Sequence, residues 1–192
     1  MPEANPRLRL LDAVVDHALA AGVADKSLRA IAAATGTSHR MLIHHFGSRE
    51  ALLVEVTRAV EERQRILLAE AVEDSHGDPL EAGRRLWSRL CDPALAPQER
   101  TFFELYGQAL QGRSFAQGLL DGVVDDWVGP LADVLAAAGV PSELVRVDAR
   151  LLVAVTRGLL LDLLATGDRD AVDAAMARFS ALYDETLPNS NV

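Results

Sequence analysis

The sequence has little cysteine and few aromatic residues. Of its 192 residues, one is cysteine and 5% are aromatic, whereas 49% are apolar. A single cysteine, Cys91, cannot form a disulfide within the chain, which argues against a secreted protein held together by disulfides. We expect Cys91 to be a small apolar core residue. Alanine and leucine are abundant, and because both are strong helix formers the composition favours an all-α fold.

A long uninterrupted apolar run is also missing. The N-terminal segment contains Asp12 and Asp16 where a signal peptide needs apolar residues. The most apolar later stretch, LLVAVTRGLLLDLLA, is interrupted by Arg157 and Asp162, so it falls short of the ~18 apolar residues that a membrane span requires. We therefore expect a cytoplasmic protein that makes no membrane contact.

Positive charge is scarce overall but not at the N-terminus. The chain holds 19 Lys and Arg against 28 Asp and Glu, a net charge of −9. Residues 1–50 contain six cationic and five acidic residues and four of the five histidines, whereas residues 51–192 contain 13 cationic and 23 acidic residues. This distribution favours a locally basic N-terminal module on an acidic body.

Apolar residues recur at helical spacing, and no segment keeps the two-residue period of a strand. Capping and turn residues divide the pattern into about nine helices. The first runs over about 6–21, and three more begin after Ser27, Ser38 and Ser48, each a residue that can cap a helix. The fourth is long and ends near DSHGDP. The remaining helices are predicted at about 78–91, 97–112, 114–138, 142–166 and 169–187.

The three helices at the N-terminus form a helix-turn-helix pattern. Gly36 lies between the second and third helices, where the backbone needs a left-handed conformation. Ala32 is small enough for the third helix to cross close to it. Ile31 and Leu42 are placed to pack against the first helix, and Phe46, four residues after Leu42, lies on the same face and closes the module.

Three histidines stand close together in the segment TGTSHRMLIHHFGSREAL. With Leu42 and Phe46 facing inward, the outward residues of the third helix are His39, Arg40, Ile43 and His44. Adjacent histidines on a helix point about 100° apart, and none of these has a histidine four residues on. We therefore predict no metal or catalytic site, and we interpret the outer face as the one that enters a DNA major groove.

The segment SLRAIAAATGTSHRMLIHHFGSREALLVEV resembles the DNA-binding segment of the TetR family of bacterial repressors. That family typically reads T-x-x-x-I-A-x-x-A-G-V-S-x-G-T-L-Y-x-H-F-x-S-K-E-x-L. The residues that match in register are Ile31, Ala32, Gly36, Ser38, Leu42, His45, Phe46, Ser48, Glu50 and Leu52, with Ser27 and Arg49 as conservative replacements. The family's Val, Gly, Thr and Tyr are replaced here by Thr37, Arg40, Met41 and Ile43, so individual contacts do not transfer automatically.

The resemblance implies which side chains touch DNA. It implies phosphate contacts from Ser27, Arg29, His45 and Arg49, and groove contacts from His39, Arg40 and His44, with Ser38 at the start of the same helix. We predict Arg40 to be the base reader, because a guanidinium can bond both acceptors of guanine; a phosphate contact is the alternative. His45 is alternatively a structural residue bonded within the module.

The resemblance also implies a homodimer that places two recognition helices on a palindromic double-stranded DNA operator. The dimer surface is expected on the last two long helices, which carry small and apolar residues. The small residues are Ala149, Ala154, Gly158, Ala165, Ala171, Ala174, Ala175 and Ala181, and the apolar ones are Leu152, Leu159, Phe179 and Leu182.

The middle helices are expected to enclose a pocket for a small-molecule effector, since such a pocket needs apolar walls with a few polar anchors. The candidate wall residues are Trp87, Phe102, Tyr106, Trp127 and Arg157, with Asp162 as a second charged candidate. Ordinary core packing is the alternative for each of them.

These observations predict a non-enzymatic transcriptional regulator without a cofactor. Its fold is all-α, with a helix-turn-helix domain over 1–48 and an effector-binding and dimerisation domain over 49–192. Effector binding would shift the dimer to a conformer that no longer fits the operator, with the long fourth helix as the lever. One alternative is a regulator of the same fold that answers to a protein partner or to no ligand. Another is a helical enzyme using His76, Arg157 and Asp162, although no nucleophile–base pair or phosphate loop supports it.

Overall fold

The computed structural model describes residues 5–23, 26–74 and 78–184, and within these ranges it is all-α with no strand. This confirms the predicted fold class. None of the helices in these ranges is both long and apolar enough to cross a membrane. The helices are α1 (Pro6–Ala21), α2 (Leu28–Ala34), α3 (His39–Phe46), α4 (Arg49–Asp74), α5 (Pro79–Leu90), α6 (Ala96–Leu110), α7 (Asp125–Ala137), α8 (Val145–Thr166) and α9 (Arg169–Asp184), with 3₁₀ segments at Pro93–Leu95 and Gln117–Leu120.

The predicted serine caps are confirmed. The backbone N–H of Ala30 donates to Ser27 Oγ at 3.3 Å, that of Met41 to Ser38 Oγ at 3.1 Å, and that of Ala51 to Ser48 Oγ at 3.0 Å. Each hydroxyl satisfies one of the N–H groups that a helix leaves unpaired at its start. The starts of α2, α3 and α4 are therefore determined locally by the sequence.

The predicted helix over 114–138 is wrong. The chain there forms the 3₁₀ segment and a bend, and α7 begins only at Asp125. Gly122 breaks the helix because its φ of 77° lies in the left-handed region, which residues with a Cβ seldom adopt. The helix predicted at 142–166 begins three residues later than expected, at Val145. The predicted end of the last helix, at residue 187, lies outside the described residues.

The chain divides into two compact units. The first comprises residues 1–63 and 93–121, and the second comprises residues 64–92 and 122–192. The predicted boundary between residues 48 and 49 follows the end of the helix-turn-helix motif, whereas these units follow the spatial proximity of backbone segments. The motif is thus only one part of the first unit.

Each unit has its own apolar core. The first core joins the helix-turn-helix residues to α4 and to the segment around α6; its most deeply buried members include Val14, Val15, Ile31, Leu42, Leu52 and Leu119. The second core is built from Leu68, Trp127, Val128, Ala132, Leu135, Val140, Ala149, Val153 and Tyr183. The predicted burial of Cys91 is confirmed.

Replacing Gly122 tests whether its left-handed backbone is required before α7, and Gly83 provides the matched control. A Cβ on Gly122 would add a positive-φ penalty and would lie 2.5–2.7 Å from the carboxylate of Asp126, so Gly122→Ala should destabilise the chain by about 1–2 kcal/mol. Gly83 lies inside α5 with nothing within 4 Å of an added Cβ, so Gly83→Ala should stabilise it by about 1 kcal/mol. Urea unfolding at one protein concentration measures both changes. Equal changes of the same sign in the free energy of unfolding of the two variants would contradict a local backbone requirement at Gly122.

Candidate functional sites

The third helix has one buried face and one exposed face. Leu42 is fully buried and Phe46 is 7% exposed, both in the first core. The residues of α3 that are exposed are His39, Arg40, Met41, Ile43 and His44. This orientation agrees with the one expected from the sequence. It leaves the guanidinium of Arg40 and the imidazoles of His39 and His44 exposed on the surface of the module.

The turn before α3 brings this face to the surface of the module. Ile31 is fully buried and Ala32 is 3% exposed, which confirms their predicted packing. Gly36 has a φ of 65°, and the Thr37 N–H donates to the Ala32 carbonyl at 2.9 Å. This hydrogen bond satisfies a carbonyl at the end of α2, so that the chain reverses within a few residues.

The residues predicted to touch phosphates lie at helix ends. Ser27 and Arg29 are exposed at the start of α2, whereas His45 and Arg49 are half-buried. Arg49 Nε donates to the Lys26 carbonyl at 2.8 Å, so this side chain links the start of α4 to the residue before Ser27. The His45 ring packs edge-on against His44 at 4.9 Å between centroids.

Arg7 is a functional candidate that the sequence analysis missed. Its Nε donates to the His45 carbonyl at 3.4 Å, and its terminal nitrogen lies 2.9 Å from a carboxylate oxygen of Glu55. Its guanidinium carbon lies 5.1 Å from the ring centroid of Phe46. One cation on α1 therefore contacts both the C-terminal end of α3 and the first part of α4. At the end of α3 the positive charge also interacts favourably with the negative end of the helix dipole.

A metal centre is not found in the part of the chain that the structure describes. There, no three His, Cys, Asp or Glu side chains lie close enough together to hold an ion. His76, which the enzyme alternative requires, lies outside the described residues, and Asp162 is exposed on α8.

The second unit contains a cavity of about 520 Å³. Its walls come from the end of α4, from α5, from α7 and α8, and from α9. The apolar wall residues include Leu68, Val72, Leu80, Leu86, Trp87, Leu131, Val134, Leu135, Leu152, Met176 and Phe179, and the charged ones are Arg84, Arg169 and Asp173. A volume of this size is typical of pockets that bind small organic molecules.

The polar groups of this wall bond to one another. Trp87 Nε1 donates to Asp173 Oδ1 at 2.7 Å, and Arg169 Nε donates to Asp173 Oδ2 at 2.7 Å. Arg169 also donates to the Cys91 carbonyl at 2.9 Å. At the far end, the Tyr183 hydroxyl donates to Asp148 at 3.2 Å; burial and this carboxylate raise the pKa of Tyr183, so that its hydroxyl stays protonated.

Of the predicted effector residues, Trp87 alone lines this cavity. Trp127 is buried in the second core, and Arg157 donates to the Val123 carbonyl. Phe102 and Tyr106 belong to the first unit, where their rings lie 5.5 Å apart. The sequence around these aromatic residues did not indicate that they belong to two different units, because a helix joins a unit through packing partners that are distant in sequence.

The last two helices present a mainly apolar exposed face. On α8 it consists of Val147, Leu151, Ala154, Gly158, Leu161 and Ala165, and on α9 of Ala171, Ala174, Ala175 and Leu182. Ala149 is fully buried and Leu152 packs on the second core, which corrects their assignment to the dimer surface. The exposed stripe of α8 is turned by about half a helical turn from those two residues, and the dimer surface on these helices stays a prediction.

The first unit matches a known family model. Residues 10–56 match the model described as bacterial regulatory proteins, tetR family. This range covers most of α1, all of α2 and α3, and the first part of α4, which are the elements that present the exposed face of the recognition helix. No curated protein matches the chain.

Solved structures resemble the chain over almost its full length. A transcriptional regulator from Rhodococcus sp. Rha1 has a TM-score of 0.71 at 21% identity and covers 93% of this chain and 95% of its own. A TetR transcriptional regulator from Legionella pneumophila has a TM-score of 0.64 at 18% identity, covering 97% and 100%. The multidrug binding protein EbrR, complexed with imidazole, has a TM-score of 0.58 at 26% identity, covering 91% and 90%. Residues 10–56 thus match the model of the tetR family of bacterial regulatory proteins, and the whole chain shares the fold of the solved transcriptional regulators that it resembles.

Proposed function

We propose that this protein is a homodimeric transcriptional repressor that leaves a palindromic operator when a small molecule binds its second unit. The observation that carries the proposal is the orientation of α3. Burial of Leu42 and Phe46 leaves Arg40 and two histidines on one exposed face, on the helix that this family inserts into the major groove.

Electrostatics support DNA as the ligand of the first unit. The net charge of the chain is −9, which disfavours nucleic acid overall, but α3 itself carries only cationic and neutral side chains. Arg40 on this face has the planar pair of donors that matches the two major-groove acceptors of guanine. Base reading by Arg40 therefore supplies specificity, and the residues at the ends of α2 and α4 supply phosphate contacts.

The exposed face of α8 and α9 supports the proposed dimer. Leu151 and Leu161 are 46% and 51% exposed, with Ala154 and Gly158 between them. Exposed leucines flanking small residues allow another pair of helices to approach closely and bury apolar surface. A two-fold dimer supplies two copies of α3, and a palindromic operator presents successive major grooves about 34 Å apart.

Effector control requires that ligand binding in one unit alter the other. Residues 49–63 of α4 belong to the first unit and the rest of the helix to the second, so a continuous helix links the ligand cavity to the DNA-binding module. A ligand that binds one conformer better shifts the population towards it. Ligand-bound EbrR, described as a multidrug binding protein in complex with imidazole or proflavin, supports such a site within this fold.

Replacing Arg40 tests base reading. The probe is a duplex that the wild-type protein selects from a random library. Arg40→Ala should weaken binding to it by about 1–3 kcal/mol and relax the preference at one base pair, while leaving the salt dependence unchanged. Fluorescence anisotropy over a salt series measures affinity and slope together.

The control for Arg40 is Arg113→Ala, which removes an exposed arginine of the same unit outside the motif. A uniform loss across all sequences, with the salt slope reduced by about 0.9, would instead make Arg40 a phosphate contact. Unchanged binding would exclude Arg40 from the interface.

Replacing Arg7 tests whether it positions α3. Arg7→Gln removes the cation that holds the His45 carbonyl and Glu55. Such contacts are worth up to about 1 kcal/mol, so specific DNA affinity should fall by up to about fivefold. The matched control is Arg9→Gln, the same charge removal at an exposed position two residues along α1. Equal losses in both variants would show that only the net charge matters.

Replacing Leu161 tests the dimer. Leu161→Glu puts a charge on the exposed face of α8 and should give monomers by sedimentation velocity, with unchanged helix content. DNA affinity should fall by at least about 100-fold, because half-sites are then bound singly. Leu110→Glu is the control, since Leu110 is 67% exposed in the other unit. A dimer that survives Leu161→Glu would place the interface elsewhere.

A further inference from the structure

The charges in the cavity of the second unit are already neutralised by neighbouring groups. Asp173 accepts hydrogen bonds from both Trp87 and Arg169. The other charged wall residue, Arg84, lies 3.0 Å from Glu81, and hydrogen bonds from Arg85 and Arg84 lower the pKa of Glu81, which stays ionised. Each of the three charged side chains of the wall therefore has its counter-ion within the protein.

We infer that the ligand of this cavity is a neutral, predominantly apolar small molecule. This inference rests on the proposed function for the statement that the ligand is an effector, but the binding chemistry follows from the wall alone. A charged ligand would lose part of its hydration on entry without meeting an unpaired counter-ion, because the charged wall side chains are already paired within the protein. A cation that approached Asp173 would gain less than it gains from an unpaired carboxylate, because Arg169 already bonds to this group.

The net charge of the chain would by itself favour a cationic ligand over a neutral one. Residues 51–192 hold 13 cationic and 23 acidic residues, and a field of that sign attracts cations. Such a field acts on the approach of a ligand through solvent, where salt screens it. Inside the cavity the nearest groups dominate, and there the negative Asp173 is paired with Arg169 at 2.7 Å.

The wall also limits how polar the ligand is. Besides the paired charges, the hydroxyl-bearing wall residues are Ser88, Ser180 and Tyr183, and the Tyr183 hydroxyl donates to Asp148. The ligand therefore carries at most one or two hydrogen-bonding groups on an apolar body. Met176 lies in the wall, and its unbranched side chain can adapt to different apolar shapes.

Two dyes of nearly the same shape distinguish a site for neutral ligands from a site for cations. At pH 8 acridine is neutral, whereas proflavin carries a positive charge. The protein used is the full chain with Trp127→Phe, which leaves Trp87 in the cavity wall as the single tryptophan. Quenching of its fluorescence, measured without DNA, should show saturable acridine binding at least about tenfold tighter than proflavin binding.

Two further variants tie the signal to the cavity. Ala177→Phe places a ring at an exposed wall position and should abolish acridine binding, whereas Ala137→Phe, at an exposed position of α7 outside the wall, should leave it intact. Arg169→Gln removes the partner of Asp173 and should raise proflavin affinity relative to acridine. Circular dichroism checks that each variant folds.

Several results would overturn the inference. Proflavin binding as tightly as acridine would show a site for cations. Absence of acridine binding, or acridine binding unaffected by Ala177→Phe, would show that the cavity holds no neutral ligand. Because these titrations contain no DNA, their failure leaves the Arg40 experiment unaffected, and failure of DNA binding in that experiment would in turn leave this ligand class intact.

Discussion

Burial of Leu42 and Phe46 is the constraint on which the proposed DNA contact of α3 depends. An α-helix turns 100° per residue, so two inward side chains four positions apart fix the rotation of the whole helix. Leu42 is fully buried, and turning α3 by two residues, about 200°, would bury Arg40 or His44 in its place. Burying an unpaired guanidinium is costly, so the apolar core and the exposed cationic face stabilise the same orientation.

That orientation also depends on contacts outside the motif. The eight residues of α3 are too few to form a stable helix alone. Ser38 caps its start, and Arg7 bonds to a carbonyl in its last turn. The recognition helix is therefore held at both ends, once by its own N-cap and once by a side chain 38 residues earlier in the chain.

Local pairing of charges decides what the second unit can bind. A chain with a net charge of −9 would be expected to favour cationic ligands. The one carboxylate of the mainly apolar wall, Asp173, already accepts hydrogen bonds from Trp87 and from the cation Arg169. The net charge of a chain determines the electrostatic field in the surrounding solvent, whereas ligand binding in a cavity depends on the few charged and polar groups that line it.

The sequence by itself determined the features that rest on local chemistry. Serine hydroxyls within three residues of a helix start, and Gly36 at the turn, place α2, α3 and α4. Helical periodicity then selects the exposed face of α3. These features are predictable because their partners lie within one or two turns of the chain.

Tertiary structure alone decided the features that depend on distant partners. It placed Phe102 with the first unit and Trp87 at the cavity, although both lie on apolar helical faces. It turned Ala149 into the second core and Leu151 outward, and it brought Arg7 onto the end of α3. The physical reason is that an apolar stripe requires burial without specifying what covers it, since the hydrophobic effect is non-directional and the chain must fold before a stripe meets its partner.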